Sequence, residues 1–194
     1  MATIGLKYPV YSKIVEDELT GTVSYEAGKI MGKAISFRST LDVAETPLYA
    51  DDGVAENANE FSGGRLTVNV DDLLFDVQAD IFGHEVKENE IDGETVVELI
   101  KKGGDISAYI GVGAYATKVR SGKKFFRALF FSKVQFGPPA ETFETKEKTI
   151  RWQTPTMEGT IMQDINGCWG TEVTVDKEDL ARAWLRKKVH IVSP

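Results

Sequence analysis

Apolar and polar residues alternate with period two through much of the chain. In AISFRSTLDV, Ile35, Phe37, Leu41 and Val43 share one side, interrupted by Ser39, and in RLTVNV, Leu66, Val68 and Val70 do the same. Each segment reads as a strand with one buried face. The clearest unit is 108–136, AYIGVGAYATKVRSGKKFFRALFFSKVQF, where Ser121-Gly122 is flanked by charges and predicts the two-residue turn of a long β-hairpin. Arms of about 13 residues at ~3.4 Å each would reach roughly 40 Å, well beyond an ordinary strand. If the turn sets the register, Arg120 faces Lys123 and Val119 faces Lys124. One face then carries Tyr109, Gly111, Gly113, Tyr115 and Val119 with Phe126, Ala128, Phe130 and Val134. The other carries Ile110, Val112, Ala114 and Ala116 with Phe125, Leu129 and Phe131. Both faces are apolar away from the turn, so each needs a cover. The expectation is a helix of the same chain on one face and a neighbouring copy on the other. Should the chain alone dry both faces of 108–136, with no repeating neighbour along the hairpin, any reading of it as a self-assembling subunit would fall.

Two helices are predicted. In DDLLFDVQADIFG, Asp71 or Asp72 caps a segment whose stripe is Leu74, Val77 and Ile81, and Gly83 ends it. In DKEDLARAWLRKK, acids lead and bases trail, the orientation that the helix dipole favours, with Leu180, Ala183 and Trp184 as the apolar stripe. Between the hairpin and this second helix, Gly137-Pro138-Pro139 and the charged stretch ETFETKEK read as an exposed loop. TIRWQTPTMEGTIM then reads as a strand broken or bulged at Pro155.

With 194 residues the chain suits one domain, 1–194, large enough to bury a core. It has no apolar run long enough to cross a bilayer, and MATIGLKYPV lacks the pattern of a secretory leader. A single cysteine, Cys168, cannot form an internal disulfide, which points to folding in a reducing compartment. The net charge of −7 argues against a protein that grips nucleic acid, since that takes an excess of lysine and arginine.

Motifs that might carry chemistry are weak. GVGAYA from Gly111 matches a dinucleotide fingerprint in letters, but a second strand follows it where a phosphate-binding helix is needed. Its glycines read instead as sites of close approach by a neighbouring backbone or ring. SGKK is a turn with solvated lysines. DINGCWGTE resembles a calcium loop, but its glycine is misplaced and Cys168 stands where an oxygen ligand is required. His84 and His190 have no metal-ligand partner at the usual spacings; His84, just after Gly83, reads as structural. In PLYADDGVAE at 47–56, Asp51-Asp52-Gly53 is a turn signal anchored by Leu48 and Tyr49. Its carboxylates are candidates to meet lysine or arginine of a partner copy.

Four stretches in order, GLKYPVYSKI at 5–14, LYADDGVAE at 48–56, KVQF at 133–136 and TPTMEGTI at 154–161, resemble the major tail protein family, the tail tube subunits of long-tailed bacteriophages. The helix at 71–83 falls between the second and third. The stretch 86–105 and the tail after Lys187 match no part of the resemblance. The resemblance implies a mainly β (α+β) fold: a tail-tube-type β-sandwich with a packed helix, a long hairpin and a C-terminal helix, with an N-terminal arm and inter-ring loops. It implies a structural virion protein of the phage tail, made in the host cytoplasm. Its copies would form rings, hexameric in most of the family, that stack into a tube for DNA ejection. Its partners would be itself and other tail proteins, with DNA passing unbound, and it would have no membrane segment, no catalytic site, no cofactor and no metal. An acidic subunit suits a channel through which DNA must slide without sticking. Interface candidates are Tyr8, Tyr11, Tyr49, Asp51, Asp52, Phe130 and Phe131, with the N-terminal segment around Tyr8–Tyr11 and the loop 45–59 as the parts that reach the next ring. The alternatives are a tail terminator ring or another tail component, a ligand-binding β-sandwich module, or an enzyme using Asp51 and Asp52.

Overall fold

The computed structural model describes residues 2–50, 53–142, 144–145 and 153–191. The chain is mainly β. In order it runs β1 (Ala2–Asp17), β2 (Thr22–Tyr25), β3 (Lys29–Ile30), β4 (Ala34–Ala50), β5 (Gly53–Val70), α1 (Phe75–Phe82), β6 (Glu85–Ile91), β7 (Glu94–Ile100), β8 (Tyr109–Arg120), β9 (Lys123–Phe136), β10 (Thr156–Met162), β11 (Gly170–Val175) and α2 (Glu178–Lys188). Nine strands form one antiparallel sheet along the path β2-β1-β8-β9-β10-β5-β4, with β3 added to β1 and β11 to β9. β6 and β7 form a separate two-stranded ribbon.

The hairpin at 108–136 has the register that its turn demands. Arg120 pairs with Lys123 and Val119 with Lys124, and Ser121 and Gly122 both take the positive φ that a two-residue turn needs. Farther out the register slips. Val112 pairs with Phe131, but Ile110 pairs with Val134, so β9 carries one extra residue at the level of Ser132 and Lys133. The bulge moves Val134 off the face of Phe130, where strict alternation puts it, and onto the face of Phe131. It is also where β9 changes partner: β11 pairs along Phe126 to Phe131, and β10 along Lys133 to Phe136.

Each face of this hairpin is covered from within the chain. On one side Ile110, Val112, Phe131 and Val134 join Leu66, Val68, Val70, Met157 and Ile161 of the curled sheet and Val77, Ile81 and Phe82 of α1. On the other, Tyr115, Phe126, Ala128 and Phe130 meet Ala181, Leu185 and Val189 of the α2 segment. Cover from the chain itself thus replaces the expected neighbour in the half of the hairpin away from the turn, while Ala116, Val119, Phe125 and Leu129 toward the turn are only half-buried. The sheet itself supplies that cover by curling, so that β1 and β4 approach each other again from near its two ends.

Both helices lie where periodicity places them, with stripes shifted by about one residue. α1 is preceded by Leu74, which is 61% exposed and supplies no side-chain cap, while Val77, Gln78, Ile81 and Phe82 are buried. Asp71 accepts instead from the Lys33 N–H, and Asp72 from the Leu73 N–H, so both acids serve the preceding turn. Gly83 ends the helix in the left-handed conformation, as expected. In α2 the buried positions are Ala181 and Leu185; Leu180 is half-exposed and Ala183 exposed. β10 starts directly after Pro155, where the break is expected.

Candidate functional site

The glycines of GVGAYA are places of close approach. A Cβ on Gly111 would stand 2.5 Å from both Phe130 Cζ and Tyr25 Cε1, and one on Gly113 would stand 2.7 Å from Leu185 Cδ2. Tyr25 packs edge-on against Phe130 at 5.3 Å and donates its hydroxyl to the Ser132 carbonyl. These contacts leave no room for a nucleotide. Asp164 accepts from the Asn166 and Cys168 N–H groups, so its carboxylate closes a local turn. Among the described residues no group of three or more His, Cys, Asp or Glu is arranged to hold a metal ion.

What the fold presents outward is strand edge. β5 pairs with β10 only from Gly64 to Asn69. Toward the tip, 42–50 and 53–63 form a ribbon of β4 and β5 alone, roughly 30 Å long at ~3.4 Å per residue. An aromatic stack fixes its root: Phe61 lies 4.8 Å from Trp169, Trp169 lies 6.4 Å from Phe131, and Phe131 lies 6.1 Å from Phe37. Beyond the stack no third strand among the described residues pairs with the ribbon. Leu41 and Val43, expected on a buried face, are 40% and 51% exposed, because β4 is an edge strand paired only with β5. Ile35 is exposed for another reason, since it is the extra residue of a bulge between Ala34 and Ser36.

The opposite edge is built differently. β3 and β2 cover β1 at Val10, Tyr11 and from Ile14 onward, which leaves its first residues without an outer partner strand. Here β1 is twice out of register with β8, Gly5 and Tyr8 have positive φ, and Pro9 follows. Bulges and proline blunt an edge against indiscriminate pairing. Tyr8 at φ 60 pays a local strain, but its hydroxyl accepts from Arg186 Nε at 3.0 Å and its ring lies 5.3 Å under the Arg182 guanidinium. Beside it, Glu178 takes both Lys7, at 2.9 Å, and the Tyr115 hydroxyl, at 2.7 Å. Burial, then that carboxylate, raises the Tyr115 pKa.

The candidate interface residues divide accordingly. Tyr8 is half-buried at the surface against α2. Tyr11, Phe130 and Phe131 are each no more than 2% exposed, so their side chains build the chain's own core and offer nothing to a neighbour. Tyr11 donates its hydroxyl to Asp80, which also holds Lys29 at 2.7 Å and Lys13 at 3.3 Å. Asp51 and Asp52, and the side chain of Tyr49, lie outside the described residues. A contact the sequence did not reveal is His84 Nδ1 to Asp105 Oδ2, 2.8 Å, which ties the end of α1 to the loop after β7. The Lys102 N–H and then His84 hold the Asp105 pKa below its ordinary value. Twenty-one residues separate the pair, and no spacing rule links them.

No protein-family model matches the chain, and no curated protein matches its sequence. The resemblance to tail tube proteins rests on its short stretches alone.

Proposed function

We propose that this chain is a structural subunit of a phage tail tube, acting by ring formation and stacking. The observation that supports the reading is the pair of unlike open edges on one curled sheet. A long, partly apolar edge such as β4, even with the bulges that interrupt its pairing with β5, is an aggregation liability in a lone molecule and would be an asset in a closed ring. The β8–β9 hairpin counts against this reading in the half away from its turn, where both faces are buried within one chain, and leaves room for a neighbour only toward the turn, where Ala116, Val119 and Phe125 are half-buried. On this proposal the fold is the tail-tube type of β-sandwich, the 45–59 tip touches the next ring, and the activity is mechanical: conduction of DNA without binding it.

Electron microscopy of the purified protein, paired with sedimentation, tests the proposal. Rings or tubes are expected. A small monodisperse species at every concentration would overturn it, and rings that never stack would favour a terminator. Replacing Asp51 and Asp52 together with Asn is expected to weaken stacking; unchanged tube stability would remove the tip from the contact.

A further inference from the structure

The β6–β7 ribbon pairs with no third strand among the described residues, and an isolated two-stranded hairpin is marginal in water. Val86, Ile91 and Val97 on it are 42%, 54% and 49% exposed. Its register puts Glu88 and Glu90 on the same face as Val86 and Val97, a stripe that mixes acid and apolar groups. Glu85 has Lys102 as its ion-pair partner, whereas Glu88, Glu90, Asp92 and Glu94 make no ion pair among the described residues.

The complementary surface lies on α2. Leu180, Ala183 and Lys187 follow one another along an exposed stripe, beside Arg182 and ahead of Lys188, in a chain that is otherwise acidic. A groove of about 670 Å³ on this side is lined by Arg182, Arg186, Lys187 and His190 with Ala183 and Ile191, and by one acid, Asp179, at the helix start, so its balance is basic. This surface is basic with an apolar edge, and the ribbon is acidic with an apolar edge.

We propose that the acidic β6–β7 ribbon of one copy docks on the basic outer face of α2 of a second copy. The contact rests on the ring-forming reading above and adds to the open strand edges. Opposite patches on one molecule steer association and fix its register, and two different surfaces joining leave the next copy free to join in turn.

Reciprocal charge reversal tests the contact. One variant carries Glu88→Lys, Glu90→Lys and Asp92→Lys; the other carries Arg182→Glu and Lys187→Glu. Each alone is expected to raise the half-assembly concentration at least tenfold at low salt, with circular dichroism confirming the fold. An equimolar mixture restores assembly, because each variant's ribbon then meets an opposite charge on the other's α2. Moderate salt weakens wild-type assembly, since such exposed pairs are screened. Single variants that assemble like wild type would overturn the ribbon contact and leave the ring reading intact. A mixture no better than its components would also overturn it. A wild-type chain that remains monomeric throughout would remove the ring reading and the contact with it. Short duplex DNA binding to α2 with no effect on assembly would replace the proposed occupant.

Discussion

The β8–β9 and β4–β5 hairpins are both long antiparallel ribbons, with strands of 12 and 14 residues and of 17 and 18. The first is buried on both faces in the half away from its turn, with Val112, Phe130 and Phe131 at 1% exposure or less; the second shows Leu41 and Val43 to solvent. Strand chemistry does not separate them, because β-branched and aromatic residues occur in both. What differs is the company. β8 and β9 run through the middle of the sheet between two helices, whereas β4 is its last strand and outlasts every neighbour except β5. An apolar residue in a strand is therefore core in the one and faces solvent in the other.

Substitutions on the two ribbons should differ in cost and in kind. Phe131→Ala removes a ring from the core and from the stack at the arm's root; it is expected to cost about 3–5 kcal/mol in urea unfolding. Gly113→Val would force a branched side chain against Leu185 and the Leu129 carbonyl, at about 1–3 kcal/mol. Asp80→Asn weakens the tie between β1, β3 and α1, at about 1–2 kcal/mol near neutral pH. Burial alone would raise the Asp80 pKa, but hydrogen bonds from Lys29 and Tyr11 and the charges of Lys13 and Lys29 outweigh it and hold the value low. A depressed carboxyl stabilises the fold above its ordinary value of 3.8 and loses that contribution as pH falls through the lower folded value. Wild type should therefore lose stability over that acid window, and Asp80→Asn should show a flatter limb in thermal melts. The smallest effect on the lone chain is expected at Val43→Ser, within about 0.5 kcal/mol. Its assembly should nevertheless weaken, which light scattering would register. A Val43→Ser cost as large as that of Phe131→Ala would erase the distinction between the ribbons.

Sequence pattern carried the hairpin turn, its inner register, both helices and the end of α1 at Gly83, because each depends on neighbours along the chain. It did not carry the faces. Val134 changes side through one extra residue near Ser132, and no local letter announces that insertion. Ile35 fails for the same reason, and Leu41 and Val43 fail because alternation records which way a side chain points, not what stands opposite. Tyr11, Phe130 and Phe131 read as contacts because the curl of the sheet, a matter of β5 and β10 finding β9, lies outside any local window. The β6–β7 ribbon was not legible: 86–105 matched no part of the resemblance, and only the hairpin register aligns its acids.

The two open edges have one more consequence. On the ring proposal β1 offers a short free margin and β4 a long one, bulged in its pairing with β5 and bearing Pro47, so copies joining through them would all point the same way and an unclosed row would begin and finish with different chemistry. A protein shaped to halt growth at one extremity would find no purchase at the other, and elongation would have a built-in direction.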